Sequence, residues 1–216
     1  VGENKIPNFS WTKQQTEKLS TTELTKRLEY KGGKTWTDKD GVIHEIKPTT
    51  AFGLVTGFED LEVLDIDLKV FSTAKEQKDF WEEFIGYLQD NILDFEDKFV
   101  IYKTKNAGYH IIYKTKRIEG NLKLAKLKGH KEAVIETRGR FGYIFAYPEN
   151  KVSKKDYFQV EYISDDDREI LFSFSRMYNY IEEVTIEPKK EKTEFSTGNV
   201  TPWQDYNEKT NILDLV

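Results

Sequence analysis

Apolar side chains return at two spacings along this chain, and each spacing predicts a different element. At Phe80, Trp81, Phe84, Ile85, Leu88 and Ile92 they recur every three to four residues, the signature of an amphipathic helix of about five turns. Thr73-Ala74-Lys75-Glu76 supplies a capping box to start it. A second capping box, Ser20-Thr21-Thr22-Glu23, precedes Leu24 and Leu28 and predicts a short helix running to Gly32-Gly33. Ser164 is placed to cap a last helix carrying Ile170, Leu171, Phe174, Tyr178 and Ile181 on one side. Elsewhere the chain reads as strands, at 52–56, 61–68, 99–104, 109–115, 133–137, 142–147 and 157–163. Thr35–Thr37 and Val42–Ile46 flank Asp38-Lys39-Asp40-Gly41 and form a hairpin pattern. This order of elements predicts an α+β fold on a mostly antiparallel sheet. From about Glu187 the periodicity stops. Residues 1–186 therefore read as one domain, and 187–216 as a linker that begins a connection to a further domain.

Composition narrows the classes. The 216 residues contain no cysteine, which excludes disulfides, a thiol nucleophile and an ordinary cysteine zinc site. No apolar run approaches the ~18 residues of a membrane span, and the first ten residues do not read as a signal peptide, so a cytoplasmic protein without a membrane partner is expected. The net charge is −5, but it is unevenly spread. Residues 79–97 hold seven acids and no Lys or Arg, whereas Lys98–Lys131 holds ten Lys or Arg and one acid, Glu119. A basic stretch on an acidic background is either a solvated face or a track for phosphates.

Three short segments could carry chemistry. In Val63-Leu64-Asp65-Ile66-Asp67-Leu68-Lys69, strand alternation puts Asp65 and Asp67 on one face, about 7 Å apart, and the leucines and isoleucine on the other. Such a pair is either two solvated acids on an edge strand or two ligands of a shared cation. In Asn106-Ala107-Gly108-Tyr109-His110, a glycine next to a strand histidine lets a bulky ligand approach the backbone, and His110, Ile112 and Lys114 share a face. In Glu136-Thr137-Arg138-Gly139, a carboxylate and a guanidinium share a face before a glycine-rich turn. That is either a surface ion pair or a site for metal and phosphate.

Together, in the order Asp-x-Asp, Gly-x-His, Glu-x-Arg-Gly, these segments resemble the catalytic core of the archaeo-eukaryotic primase superfamily. The nearest likeness is the bifunctional primase-polymerase domain of phage and plasmid replication proteins. Gly53–Gly57 followed by Asp65 and Asp67 is similar to its first motif, Gly108-Tyr109-His110 to its second, and Glu136–Gly139 with Gly142-Tyr143 and Tyr147-Pro148 to its third. Trp203–Asn207 with Ile212-Leu213 resembles the connector that leads in such proteins to a further domain, often a helicase. The second motif departs from the family where a small hydroxyl residue is usual, since Gly108 stands there, and a glycine N–H would serve instead.

The resemblance implies an RRM-like sheet flanked by helices. It implies a template-dependent nucleotidyltransferase, a DNA primase and DNA polymerase, that makes or extends primers on single-stranded DNA from nucleoside triphosphates. Asp65, Asp67 and Glu136 would be its catalytic carboxylates and its ligands for two Mg²⁺ or Mn²⁺ ions, with no zinc. His110 and Arg138 would contact the triphosphate, with Lys69, Lys105, Gly108 and Lys114 as weaker contributors. The basic stretch would hold the template, and Tyr143 either stacks on a base or packs on Phe145. The alternative is a non-catalytic module that binds single strands or a replication origin. A metal-dependent nuclease is a third reading. Trp11, Trp36, His44 and His130 receive no role.

Overall fold

The computed structural model describes residues 7–37 and 39–181. The chain divides after Tyr180 into two units, Val1–Tyr180 and Ile181–Val216. The described residues belong to the first, Ile181 apart, so the expected connector 187–216 lies outside them.

In chain order the elements are α1 (Thr21–Leu28), β1 (Lys34–Thr37), β2 (Ile43–Ile46), β3 (Gly53–Val55), β4 (Leu61–Asp67), α2 (Ala74–Asn91), α3 (Phe95–Lys98), β5 (Val100–Thr104), β6 (Gly108–Lys114), β7 (Lys123–Ala125), β8 (Ile135–Arg138), β9 (Tyr143–Phe145) and α4 (Asp165–Met177). Five strands form the main sheet in the order β5-β6-β4-β8-β7, every neighbour antiparallel. β1 pairs with β2, and β3 with β9, in two separate ribbons. The architecture is α+β, as the element order predicts.

The three expected helix starts carry the caps that place them. The Ser20 side chain accepts from Glu23 N, and both Thr73 and Ser164 form complete capping boxes with Glu76 and Asp167. α1 stops at Leu28, short of the expected Gly32-Gly33. There the chain leaves the helix and Tyr30 O accepts from Thr49 N at 2.9 Å.

The two faces of the main sheet do different jobs. On one, Leu64, Ile66, Ile111, Tyr113 and Ile135 pack with Phe84 and Leu88 of α2 and Leu171 and Phe172 of α4. Complete burial of one such side chain contributes about 1.5–3 kcal/mol. Beneath this layer the Glu62 carboxylate is fully buried. It accepts from Arg168 Nε and Nη2 at 2.8 and 3.0 Å and from the Tyr113 hydroxyl at 2.8 Å, which ties β4 to α4. On the other face, Val63, Val100, Tyr102 and Ile112 form a second, smaller core with Ile144 of the β3–β9 ribbon, and Leu54 and Tyr157 pack against it. That cover stops partway along the strands, and the remainder of the face is the floor of the cavity described below.

Two elements differ from the sequence reading. Residues 157–163 do not make a strand. Asp156 accepts from Phe158 N, Gln159 reaches back to Asp156 N, and this local capping box winds 157–159 into a 3₁₀ turn. Only the bridge between Lys114 and Tyr162 remains of the expected pairing. Conversely, β7 forms inside the Lys98–Lys131 stretch, where alternation is brief and lysine-rich. That stretch spans β5, β6 and β7, so its charges are dispersed: Lys98 pairs with Asp167 at 2.7 Å and Lys116 with Asp60 at 2.6 Å. Among the described residues no helix is long and apolar enough to cross a membrane.

Candidate functional site

β4 is the middle strand of the main sheet, and its alternation decides which side chains reach the uncovered face. Leu64 and Ile66 are fully buried toward the helices, so Asp65 and Asp67 point the other way. The register then sets the neighbours. Asp65 lies directly opposite Glu136 of β8 on one side and opposite His110 of β6 on the other. Residues 45 and 71 positions apart in the chain thus stand side by side.

Two carboxylates directly opposite each other in a sheet repel and need positive charge between them. Arg138, two residues beyond Glu136 on the same face, provides it. Its Nε and Nη2 donate to Asp65 Oδ2 at 3.3 and 3.2 Å, and Nη2 also donates to Glu136. His110 Nε2 lies 3.6 Å from Asp65 Oδ1, with the imidazole almost entirely buried. Burial raises the Glu136 carboxyl above its usual range; Arg138 pulls it down and Asp65 pushes it up. Burial, with Asp65 and Glu149 nearby, also raises the Tyr147 hydroxyl, which stays a proton donor at neutral pH.

Asp67 ends the strand and turns it. Its Oδ1 accepts from Lys69 N at 3.1 Å, and its Oδ2 pairs with Lys69 Nζ at 2.8 Å. Lys69 also pairs with Glu132 at 3.0 Å, and the two carboxylates hold its ammonium well above the usual lysine range.

These groups line one open cavity of about 570 Å³. Asp65, Asp67, Glu136, His110, Arg138 and Lys69 all border it. Lys105, Gly108 and Lys114 do not. Lys105 sits in the exposed turn between β5 and β6. Lys114 ends β6 opposite Leu61, at the far end of the strand pair, with its ammonium 5.8 Å from the centre of the Tyr162 ring. Gly108 is required by packing: a Cβ there would come within 2.4 Å of Ile66 O, so only glycine lets β6 lie this close to β4. At Gly139 a Cβ would meet Glu119 O at 2.1 Å, so this glycine makes a close backbone approach, not open space beside Arg138.

Sequence reasoning passed over Lys123, Lys131, Asn121 and Phe141, which also line the cavity. The two lysines lie in the basic stretch but were not separable from its other members. Asn121 Oδ1 accepts from Gly139 N at 3.1 Å, a contact that no local pattern signals. Tyr143 borders the cavity too, with its ring 5.3 Å from Trp11.

The donor set suits a hard divalent cation in kind: four carboxylates, Asp65, Asp67, Glu132 and Glu136, line one cavity, with the half-buried Glu136 facing Asp65. Among the described residues no three such donors already converge as a metal cluster. Arg138 holds Asp65 and Glu136, and Lys69 holds Asp67. The cationic side chains therefore occupy the carboxylates in the geometry described. No protein-family model matches this chain, and no curated protein matches it.

Proposed function

We propose that the chain is a template-dependent nucleotidyltransferase, a primase-polymerase domain acting on single-stranded DNA. The observation that carries this reading is the cross-strand row Glu136–Asp65–His110 on the floor of a cavity whose other charged lining is Lys69, Lys123, Lys131 and Arg138 with Asp67 and Glu132. The path of the chain supports it as well. After β4 the chain runs through α2 and α3 to β5 and β6, then to β7 and β8, with β4 and β6 inside the antiparallel sheet, an arrangement compatible with the RRM-like core that the sequence motifs imply.

In this reading Asp65, Glu136 and Asp67 hold the divalent ions, Mg²⁺ or Mn²⁺. When bound, such ions activate the attacking 3′-hydroxyl and neutralise charge on the leaving pyrophosphate. Arg138 exchanges its carboxylate partners for a phosphate, which its planar fork matches in the same bidentate way. His110 donates to a phosphate oxygen from a buried position that Asp65 steadies. Lys69, Lys123 and Lys131 hold the remaining negative charge of the nucleotide and template strand at the cavity's edge. Tyr147 adds a hydroxyl that does not ionise at working pH.

The test is primer synthesis or extension on a single-stranded template with Mg²⁺ or Mn²⁺. The wild type lengthens the primer, and the Asp65→Ala, Asp67→Ala double variant does not. Unchanged extension in that variant rejects the assignment. One observation favours a second reading, a non-catalytic single-strand binding module: Arg138 neutralises Asp65 and Glu136 with no ion required. It predicts salt-sensitive binding indifferent to divalent ions, with no extension by the wild type. Shortening of the template in metal alone points to a nuclease.

A further inference from the structure

The turn from Gly139 to Gly142 is fastened more firmly than a surface turn requires. Gly139 O accepts from Thr56 Oγ1 at 2.6 Å and from Gly142 N at 3.1 Å. Gly142 O accepts from Thr56 N at 3.0 Å, and Arg140 N donates to Glu119 O at 2.6 Å. Gly139 N donates to Asn121 Oδ1, and Phe141 N donates to Gln15 Oε1, each at 3.1 Å. Loop segments far apart in the chain, at Thr56 and at Glu119–Asn121, together with the segment before α1, thus build one pedestal.

At its tip stands Phe141, which is unfavourable there on two counts. Its φ is 61°, in the left-handed region where a bulky side chain crowds its own backbone. The residue is also 73 % exposed, so its ring gains little from burial. Stability alone would favour glycine or asparagine at this position. The ring lines the cavity that holds Asp65, Glu136 and His110, and Lys123, Lys131 and Arg138 line the same cavity.

We propose that Phe141 is a rigid stacking face for an unpaired base of single-stranded DNA at the mouth of this cavity. The proposal rests on the nucleotidyl-transfer reading above and names how its template is gripped. Every base offers a π-face, so one aromatic platform serves any sequence, while the cations beside it take the phosphates. Because the pedestal fixes the backbone during folding, little ordering remains to be done on binding.

The experiment uses the full chain and an oligonucleotide carrying a single 2-aminopurine, whose fluorescence falls on stacking. The wild type binds and quenches it. Phe141→Ala weakens binding about tenfold and abolishes the quenching, whereas Phe141→Trp keeps both. Phe141→Gly loses binding as Phe141→Ala does, yet its Tm rises by about 2–4 °C because the strained backbone relaxes. Weaker binding in a more stable protein is a result that a packing role does not produce. Unchanged quenching in Phe141→Ala, with primer extension by the wild type intact, overturns the stacking face and leaves the polymerase reading standing. Quenching that depends on Phe141 in a wild type unable to extend primers upholds the stacking face and overturns the enzyme reading. Failure of the wild type to bind the oligonucleotide overturns the proposal.

Discussion

Arg168→Met isolates the contact that fixes the middle strand against α4. Glu62 is fully buried, and the Arg168 side chain keeps 7 % of its exposure. The guanidinium makes two bonds to one carboxylate, at 2.8 and 3.0 Å, so the variant removes a bidentate pair from a dry environment and leaves an ionised group behind. Breaking a buried pair from one side costs about 3–5 kcal/mol. The Tyr113 hydroxyl still donates to Glu62 at 2.8 Å, which places the expected loss near the lower bound, about 3 kcal/mol. For a domain of this size that lowers Tm by about 6–12 °C. The assay is thermal and urea denaturation of the wild type, Arg168→Met, Glu62→Met and the double variant. An apolar pair of similar volume leaves no orphan charge, so the double variant recovers most of the loss, with a coupling of about 3 kcal/mol between the sites. A single-variant loss below about 1 kcal/mol, or strictly additive losses, refutes the argument that this pair is desolvated and mutually dependent.

Three further outcomes follow from other parts of the molecule. On the proposed nucleotidyltransferase reading, Glu136→Gln abolishes primer extension, and it also changes how stability depends on pH. The folded carboxyl of Glu136 is raised above its value of 4.5, chiefly by burial, so its contribution to stability is complete below about pH 4.5 and is lost as pH rises through the folded value. Against Glu136→Gln, the wild type therefore loses melting temperature between pH 4 and pH 7, and a difference that does not change with pH contradicts this. Gly108→Ala forces apart Ile66 O and the new Cβ, initially at 2.4 Å, and costs about 1–3 kcal/mol in denaturant titrations. Ser164→Ala removes the cap of α4, costs about 1 kcal/mol, and leaves the proposed nucleotide chemistry unchanged because α4 packs in the helix layer on the opposite face of the sheet.

Much of the local structure was legible in the residue order, for identifiable reasons. Ser20, Thr73 and Ser164 each meet their capping partner three residues on, so the information needed to start a helix lies within one turn. The faces of Asp65 and Leu64 follow from strand alternation alone. What alternation does not contain is register. That Asp65 faces both Glu136 and His110 depends on how three strands slide against each other, and the packing of whole faces decides it. The same non-locality moved Lys114 away from the cavity: it shares a face with His110 but ends the strand beside Leu61. At residues 157–163 the reverse held. A strand-like composition yielded to the local bonds of Asp156 and Gln159, which satisfy the backbone without a neighbouring strand.

One sheet face serves both as hydrophobic seam and as cavity floor, and a ribbon only three residues long in each strand, β3 and β9, covers the seam. The aperture is accordingly a matter of ribbon length. The same short ribbon that leaves the acidic row uncovered also packs Ile144 against Val63 and Ile112. Such a domain has little room to widen its entrance for a bulkier guest by trimming this cover. Variation in what it admits must come instead from the turn that bears Phe141 and from the lysines that line the same cavity.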